Sequence, residues 1–373
     1  TLSGTYTFNL TENTYLDTTA KATLPTGDEE KDLGTGESDF AFLAELGLLL
    51  MFFVGLEIDM QQFREHRRKA LAFADAPNGA IAVEIFMGTQ LCATGEECLQ
   101  GIADGSLDVY ISTSGGAAGL FPYIQVLDLP YLMSDDRIAE EVLTGDFTRK
   151  LREKALADSD NKIRLMTIGN TGGWRNYANT KQPVKSPEDL KGLKMRTVPA
   201  DLPQQVATAV GAAPTPIPWP ELFTSLQTGV VEGTANGITD IMSMKFTDAG
   251  IKYLTLDGHS YMGAFWWMGN DRFKSLTPEQ QQIVVDGFAA LQQATFASPK
   301  RKEIQAYADF KAAGGEIYVP SAEEKAAFKA AVAPVFDWFK ANVKGGPEVL
   351  DAFNAAVATA EAAVAADRAA DLN

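Results

Sequence analysis

The sequence has 373 residues, with 49 Asp and Glu against 32 Lys and Arg, which gives a formal charge of −17 at pH 7. This acidic balance argues against nucleic acid or an anionic lipid surface as a partner, because both require a basic protein surface. The chain contains only two His and two Cys, so a multi-His or Cys-rich metal site is excluded by count. The length and the 46% hydrophobic content predict a globular protein of two lobes or domains.

The first 77 residues differ from the rest of the chain. Residues 1–39 are polar, and residues 40–58 are apolar apart from two Glu. The apolar stretch reaches the lower length limit of a membrane span, and a buried helix of a globular protein is the alternative. No charged region followed by an apolar one and a cleavage site opens the sequence, so we expect a leader that has been removed or a start that is missing.

The cysteines lie close together, in the segment LCATGEEC. We predict a disulfide between Cys92 and Cys98, since both fall in one polar turn and the sequence contains no other cysteine. Two buried free thiols are the alternative. A disulfide would place the chain outside the cytoplasm, because oxidising compartments preserve such pairs.

From residue 78 onward, strand and helix patterns alternate. Strands are predicted at 80–86, 107–112, 163–169 and 193–198, and helices at 96–105 and 137–158, with later helix starts at Ser186, Thr277 and Ser321. Pro299 falls inside the helix that Thr277 opens, which predicts a break or a kink there. The Ala-rich sequence from residue 348 predicts a C-terminal helix. The alternation indicates an α/β protein with largely parallel sheets.

Two arginines stand out by their context. Arg175 follows a strand and a Gly-rich turn in GNTGGWRNYAN, and Arg196 lies on the short strand of GLKMRTVP. A guanidinium matches a carboxylate in bidentate geometry, so both arginines are candidates for binding an anionic ligand. The alternative is a structural ion pair with an acidic neighbour.

Aromatic and amide side chains supply further candidates. Trp219 lies in a run of prolines that holds the backbone extended, and Asn236 ends the stretch that follows. In the segment FWW, we predict Trp266 or Trp267 as a pocket wall, although aromatic strand residues are more often core. His259 has no evident Ser or Cys partner, so we interpret it as structural. No acid–base constellation can be assembled, which favours binding over catalysis.

Several consecutive motifs resemble one family. From about residue 80 to about residue 339, the chain is similar to the solute-binding proteins of tripartite ATP-independent periplasmic (TRAP) transporters. The similar segments are AIAVEIFMGTQL, GIADGSLDVYIS, LFPYIQVLDLPYLM, WRNYANTKQPVKSPEDLKGLKMRTVPADL and PTPIPWPELFTSLQTGVVEGTANG. Their number and order make the resemblance specific.

The resemblance implies a periplasmic-binding-protein-like fold, with two α/β lobes, a ligand cleft between them and a long helix spanning both. We expect lobe 1 at 78–172 plus 262–298, lobe 2 at 173–261 plus 299–345, and a C-terminal helical tail at 346–373. It further implies a periplasmic receptor that delivers a small organic acid to a TRAP permease, with no enzymatic activity and no cofactor. The alternatives are a membrane-anchored protein that uses residues 40–58 and an enzyme with an Arg-lined cleft.

Residue by residue, the resemblance implies that Arg196 makes the main salt bridge to the ligand carboxylate and that Arg175 assists. Trp219 would pack on the ligand, and Asn236 would hydrogen-bond it. Some relatives use a Glu immediately before this Asn to hold a metal, but Ala235 stands there, so we expect no metal.

Residues 1–77 do not fit the resemblance. Part of this segment is weakly similar to outer-membrane β-barrel proteins, and part is similar to a helix pair of cation/proton antiporters. We interpret the segment as foreign or misassembled sequence, or as a replacement for the family's first strand and helix. The identity of the organic acid stays open, with mono- and dicarboxylates, 2-oxo acids and sugar acids as candidates.

Overall fold

The computed structural model describes residue 86 and residues 90–372. The N-terminal segment 1–77, its apolar stretch 40–58 and most of the strand predicted at 80–86 therefore lie outside the described residues. Within them, the strands are β1 Val109–Ser112, β2 Ile163–Asn179, β3 Lys194–Thr197, β4 Ala213–Pro216, β5 Gly233–Asn236, β6 Tyr253–Gly269 and β7 Glu316–Tyr318.

Twelve α-helices accompany these strands over the same part of the chain. They are α1 Gly95–Asp104, α2 Ser114–Ala117, α3 Asp136–Thr144, α4 Asp146–Asp158, α5 Asp201–Ala209, α6 Leu222–Gln227, α7 Ile238–Ser243, α8 Asn270–Ser275, α9 Pro278–Ala312, α10 Ala322–Ala331, α11 Ala333–Asn342 and α12 Gly346–Asp371. Short 3-10 helices lie at Pro122–Asp128, Pro187–Leu190 and Trp219–Glu221.

The strands form one mixed sheet in the order β1-β6-β2-β5-β3-β4, with β7 also paired to β6. Strands β2 and β6 have 17 residues each and pair antiparallel along their length. Parallel pairing joins β3 to β4, β3 to β5 and β6 to β7. The prediction of largely parallel sheets is therefore wrong for the described residues, because the two longest strands pair antiparallel. The Gly-rich segment that was predicted as a turn before Arg175 also lies inside β2, where register shifts absorb it.

The predicted helix starts are confirmed, and each has a physical cause. Ser186, Thr277 and Ser321 all begin capping boxes, in which side chains and backbone N–H groups satisfy each other. The helix predicted at 137–158 is divided by Gly145, whose extended backbone separates α3 from α4. Of the break or kink predicted at Pro299, the break is not found, since α9 continues through that residue from Pro278 to Ala312.

Helix α9 lies directly on β2. The Gln292 side chain donates to the backbone oxygen of Ile168 at 2.8 Å, and the backbone N–H of Asn170 donates to Thr295 Oγ1 at 3.3 Å. A side chain at Gly169 could not fit, because its Cβ would lie 2.1 Å from Thr295 Oγ1. The long helix is thereby fixed to the strand that carries Arg175.

The C-terminal helix α12 packs into the main hydrophobic cluster. Phe353 is fully buried, and its ring lies 5.2 Å from that of Phe147. Leu350, Val357 and Val364 are buried on the same helix. Among the described residues, α12 is the one helix long and apolar enough to cross a membrane. Its buried apolar side chains are accounted for by this packing.

The predicted disulfide is confirmed, as the structure joins Cys92 to Cys98 with their Cα atoms 5.3 Å apart. The bridge ties the segment before α1 to the first turn of that helix. The Thr94 side chain caps α1 by accepting from the backbone N–H of Glu97 at 3.1 Å. The start of the helix is thus held both covalently and by a cap.

Candidate binding cleft

Three neighbouring strands bring the predicted polar residues together. Arg175 lies on β2, Asn236 on β5 and Arg196 on β3, and β5 lies between the other two strands. Asn236 is opposite Asn176 in the register, and Arg196 is opposite Thr234. Adjacent strands lie roughly 4.8 Å apart, so the long arginine side chains reach the same space.

Arg196 is 5% exposed, and its Nε–H donates to the backbone oxygen of Ile217 at 2.9 Å. That bond fixes the guanidinium plane and does not use the two terminal nitrogens. Burial, together with the charge of Arg175, lowers the pKa of Arg196 to about 9. The group is therefore charged at neutral pH, and an anion placed beside it would relieve the cost of its burial.

Trp219 contacts the arginine but does not line the cavity described below. It begins the 3-10 helix Trp219–Glu221 between two prolines, and the Arg196 guanidinium lies 5.6 Å from its ring centre. Its ring also packs edge-to-face on Phe246, with the centres 5.6 Å apart. A cation at this distance from an indole face is attracted by the ring, so Trp219 supports Arg196 from behind.

Arg175 is held by the neighbouring strand. It is 9% exposed, and its Nη1 donates to the backbone oxygen of Ala235 at 3.0 Å. Asp240, at the start of α7, supplies negative charge to both arginines. Burial raises the pKa of Asp240, while a hydrogen bond from Asn236 and the two arginines oppose that rise. One carboxylate thus partly compensates two cations.

Asn236 has a structural partner on each side of its amide. Its oxygen accepts from the Thr234 hydroxyl at 2.7 Å, and its nitrogen donates to an Asp240 oxygen at 3.2 Å. Asn236 is 1% exposed and does not line the cavity. In this conformation, the side chain orients Asp240.

Two glycines allow α7 to approach β2 closely. A Cβ at Gly172 would lie 2.6 Å from both carboxylate oxygens of Asp240, and a Cβ at Gly237 would lie 1.8 Å from the Gly172 backbone oxygen. The Thr239 hydroxyl donates to that same oxygen at 3.2 Å. Glycine at these positions therefore sets the distance between Asp240 and the arginines.

A cavity of about 60 Å³ lies beside the two arginines. A water molecule needs roughly 10–15 Å³ of such space, so the cavity admits a few waters or a small group. Its wall is apolar except near the two arginines and at a second polar region formed by Asp128, His259 and Ser260. The lining residues are Asp128, Arg175, Tyr177, Met195, Arg196, Thr197, Val198, Leu202, Pro203, Val206, Ala207, Ala212, Ala235, His259 and Ser260.

Asp128 is a further polar residue of the cavity wall, and it was not among the residues predicted from the sequence. It ends the 3-10 helix Pro122–Asp128. The Ser114 hydroxyl donates to one carboxylate oxygen of Asp128, and the Ser260 hydroxyl donates to the other at 3.3 Å. The sequence did contain a signal that could have identified it, because Asp128 is the only charged residue in the apolar stretch LFPYIQVLDLPYLM.

His259 belongs to a buried hydrogen-bonded group. Its Nδ1 lies 2.7 Å from Asp257 Oδ2, and the same oxygen accepts from the Tyr131 hydroxyl at 2.8 Å. The backbone N–H of Tyr177 donates to the other Asp257 oxygen at 3.2 Å, and the Tyr177 ring stacks on His259. The structural role predicted for His259 agrees with these contacts, although the residue also lines the cavity. The sequence Asp-Gly-His, which places Asp257 two residues before His259, was the signal from which Asp257 could have been identified as the partner of His259.

Trp266 lies away from this cavity. It packs with Met166, Met268 and Phe288 in a separate hydrophobic cluster. Trp267, the next residue, belongs to the main cluster and donates its indole N–H to the Ser112 hydroxyl at 2.8 Å. The structure therefore does not bring either tryptophan to Arg196.

Over the described part of the chain, no group of three or more His, Cys, Asp or Glu side chains is arranged to hold a metal ion. The part of the cavity beside Arg175 and Arg196 instead suits an anion, since these two buried cations have only Asp240 as a nearby counter-charge, while Asp128 lies with Ser260 and His259 at the other polar part of the wall. An arrangement of this kind binds and orients a carboxylate.

Comparison with known proteins agrees with this chemistry. The chain is 33% identical over 257 residues to a solute-binding protein of Verminephrobacter eiseniae, covering 69% of this chain and 74% of that protein. It is 30% identical over 277 residues to the 2,3-diketo-L-gulonate-binding periplasmic protein of Escherichia coli, covering 74% and 81% respectively. Among solved structures, the sugar acid binding protein of Advenella mimigardefordensis in complex with galactonate superposes with a TM-score of 0.72. That match has 25% identity and covers 80% of this chain and 93% of the other.

The family of bacterial extracellular solute-binding proteins, family 7, matches residues 70–342. This range contains every residue of the cleft described above. The fold of the described residues is the mixed α/β fold of TRAP periplasmic solute-binding proteins, as the structural match shows. The chain is a member of the family 7 bacterial extracellular solute-binding proteins, the solute-binding proteins of TRAP transporters.

Proposed function

We propose that this protein is a periplasmic receptor that binds a small organic acid and delivers it, chemically unchanged, to a TRAP-type membrane permease. The observation that carries the proposal is the pair Arg175 and Arg196, both buried and both on the wall of one cavity. Two relatives support it by their ligands, one a diketogulonate-binding periplasmic protein and the other a structure with galactonate. Both ligands are sugar acids.

In this proposal, Arg196 makes the main contact. Its Nε–H is already used by Ile217 O, so the terminal nitrogens receive the ligand carboxylate. Arg175 keeps one donor on Ala235 O and adds its charge from β2, which is separated from β3 by β5. An ion pair strengthens as the surrounding dielectric falls, so the buried setting increases the attraction that each arginine supplies.

We propose that Trp219 and Asn236 hold the charged residues of the site in place. Trp219 packs behind the guanidinium of Arg196, and Asn236 orients Asp240, which balances part of the positive charge. Direct contact of either side chain with a ligand would require the cleft to rearrange. Trp266 is not included in the proposal, since it lies in a separate cluster.

We further propose that binding closes two lobes, one of 78–172 plus 262–298 and the other of 173–261 plus 299–345, with the segment 346–373 as an added helix. Strands β2 and β6 run through both, and their register shifts near Arg175 give a natural place to bend. A ligand closes such a cleft by the difference between its affinities for the open and closed states.

A thermal-shift screen with organic acids tests the function. An acid that binds the native state should raise its stability by RT ln(1 + [L]/Kd). Arg196→Ala should remove that shift for every acid, and Arg272→Ala should preserve it, because Arg272 is exposed and paired with Asp108. The bound acid should be recovered unchanged. A full shift in a folded Arg196→Ala variant, or turnover of the acid, would reject the proposal.

A further inference from the structure

We propose that Asp128 makes this cleft select monocarboxylates that carry hydroxyl groups and reject dicarboxylates. The inference rests on the proposed function, since it assumes that the arginines hold one carboxylate. It concerns the other polar part of the same cavity, where Asp128, His259 and Ser260 lie.

Asp128 presents a carboxylate that no cation neutralises. Its two oxygens accept from the hydroxyls of Ser114 and Ser260, which are neutral donors. Among the ion pairs formed by the described residues, none includes Asp128. A carboxylate has about four acceptor sites, so two hydroxyls leave capacity for donors on a ligand.

The charges around the cavity favour a ligand with a single negative charge. Arg175 and Arg196 contribute two positive charges, and Asp240 offsets part of them. The Asp257 carboxylate nearby is already satisfied by Tyr131, His259 and a backbone N–H. One ligand carboxylate can pair with the arginines, whereas a second one would meet no further arginine or lysine among the residues that line the cavity and would add to the negative charge of Asp128.

A second ligand carboxylate would also meet Asp128. Two carboxylates sharing one partly buried site repel each other, and one of them must take up a proton or move away. A ligand hydroxyl at the same place would instead donate to Asp128 in a charge-assisted hydrogen bond. An acidic group in the wall thus discriminates by penalising the wrong ligand as well as by attracting the right one.

Isothermal titration calorimetry on chain-matched acids tests this inference. Glycerate and tartronate differ only in whether one end is a CH₂OH or a carboxylate, and galactonate and galactarate differ in the same way on a longer chain. Succinate and propionate lack hydroxyl groups. We expect wild type to bind a hydroxylated monocarboxylate at least about tenfold more tightly than its dicarboxylate partner and than succinate or propionate.

Asp128→Asn keeps the shape of the side chain and its acceptor oxygen, and removes the charge. We expect it to reduce the preference for the monocarboxylate by about tenfold, mainly through tighter binding of the dicarboxylate. The exposed Asp286→Asn should leave the ratio unchanged. Preference of wild type for succinate, propionate, tartronate or galactarate would overturn the inference, as would an unchanged ratio in Asp128→Asn. In those cases the receptor function stands, whereas failure of wild type to bind any acid would reject the function itself.

Discussion

Replacing Arg196 with lysine keeps the positive charge and removes the guanidinium fork. In the structure, Nε bonds the Ile217 oxygen at 2.9 Å, which leaves the terminal nitrogens for a bidentate contact with a carboxylate. A lysine ammonium is a single point of charge and cannot keep both partners in the same geometry. One charge-assisted hydrogen bond, worth roughly 1.5–3 kcal/mol, is then lost. We expect Kd to rise about ten- to a hundredfold for each acid that wild type binds.

Isothermal titration calorimetry at neutral pH measures this change, with unfolding by urea to confirm that the free variant is folded. Arg272→Lys is the matched control, because that arginine is exposed and pairs with Asp108 on the surface. Its affinity for the acid should equal that of wild type. An Arg196→Lys variant that binds acids as tightly as wild type would refute the reasoning, since charge alone would then account for the binding.

Three further changes test the surroundings of the cleft and the fold. Gly172→Ala places a Cβ 2.6 Å from the Asp240 carboxylate, so it should cost about 1–3 kcal/mol of unfolding free energy and weaken acid binding; full affinity in calorimetry would contradict this. Burial raises the pKa of Asp240 in the folded state above its ordinary value of 3.8. Between 3.8 and the raised pKa, the folded state therefore binds more protons than the unfolded state. As pH falls through this range, wild type should gain unfolding free energy relative to Asp240→Asn. Urea unfolding across pH checks it, and a constant difference would be inconsistent with the shift. Phe353→Ala should cost about 3–5 kcal/mol in the same assay, because the side chain is fully buried, and a loss below 1 kcal/mol would show that α12 is not part of the core.

Local sequence patterns predicted most helix starts and the position of Arg196 on a strand, whereas Arg175 was expected after a Gly-rich turn and lies inside β2. Capping boxes are local, so Thr277 and Ser321 could be recognised without knowledge of the fold. The pairing of β2 with β6 could not be recognised in the same way, because it joins segments about 90 residues apart along the chain. The presence of Pro299 alone did not predict whether α9 continues past this residue. Packing of α9 on β2, which includes the hydrogen bond from Gln292 to the Ile168 oxygen, compensates for the one backbone hydrogen bond that Pro299 cannot donate.

The binding residues stay a prediction. Arg175, Arg196 and Asn236 were proposed from their sequence context and from the resemblance, and the structure brings them together through β5. Trp266 and Trp267 are adjacent on a strand and therefore face opposite sides. Each packs in a hydrophobic cluster, and neither lines the cavity, which the sequence alone does not reveal. Asp128 comes from a different segment and approaches the site only after folding, so no local spacing links it to the arginines.

The interaction of Arg196 with a carboxylate is tested most directly by comparing an acid with its uncharged primary amide. The acid that gives the largest thermal shift and its amide would be titrated into wild type and into Arg196→Ala. The amide keeps one acceptor oxygen but loses the negative charge and the second acceptor, and loss of one charge-assisted hydrogen bond predicts that wild type binds the acid about ten- to a hundredfold more tightly than the amide, and that Arg196→Ala removes most of this difference. Equal affinities of wild type for the acid and the amide would contradict an arginine-held carboxylate.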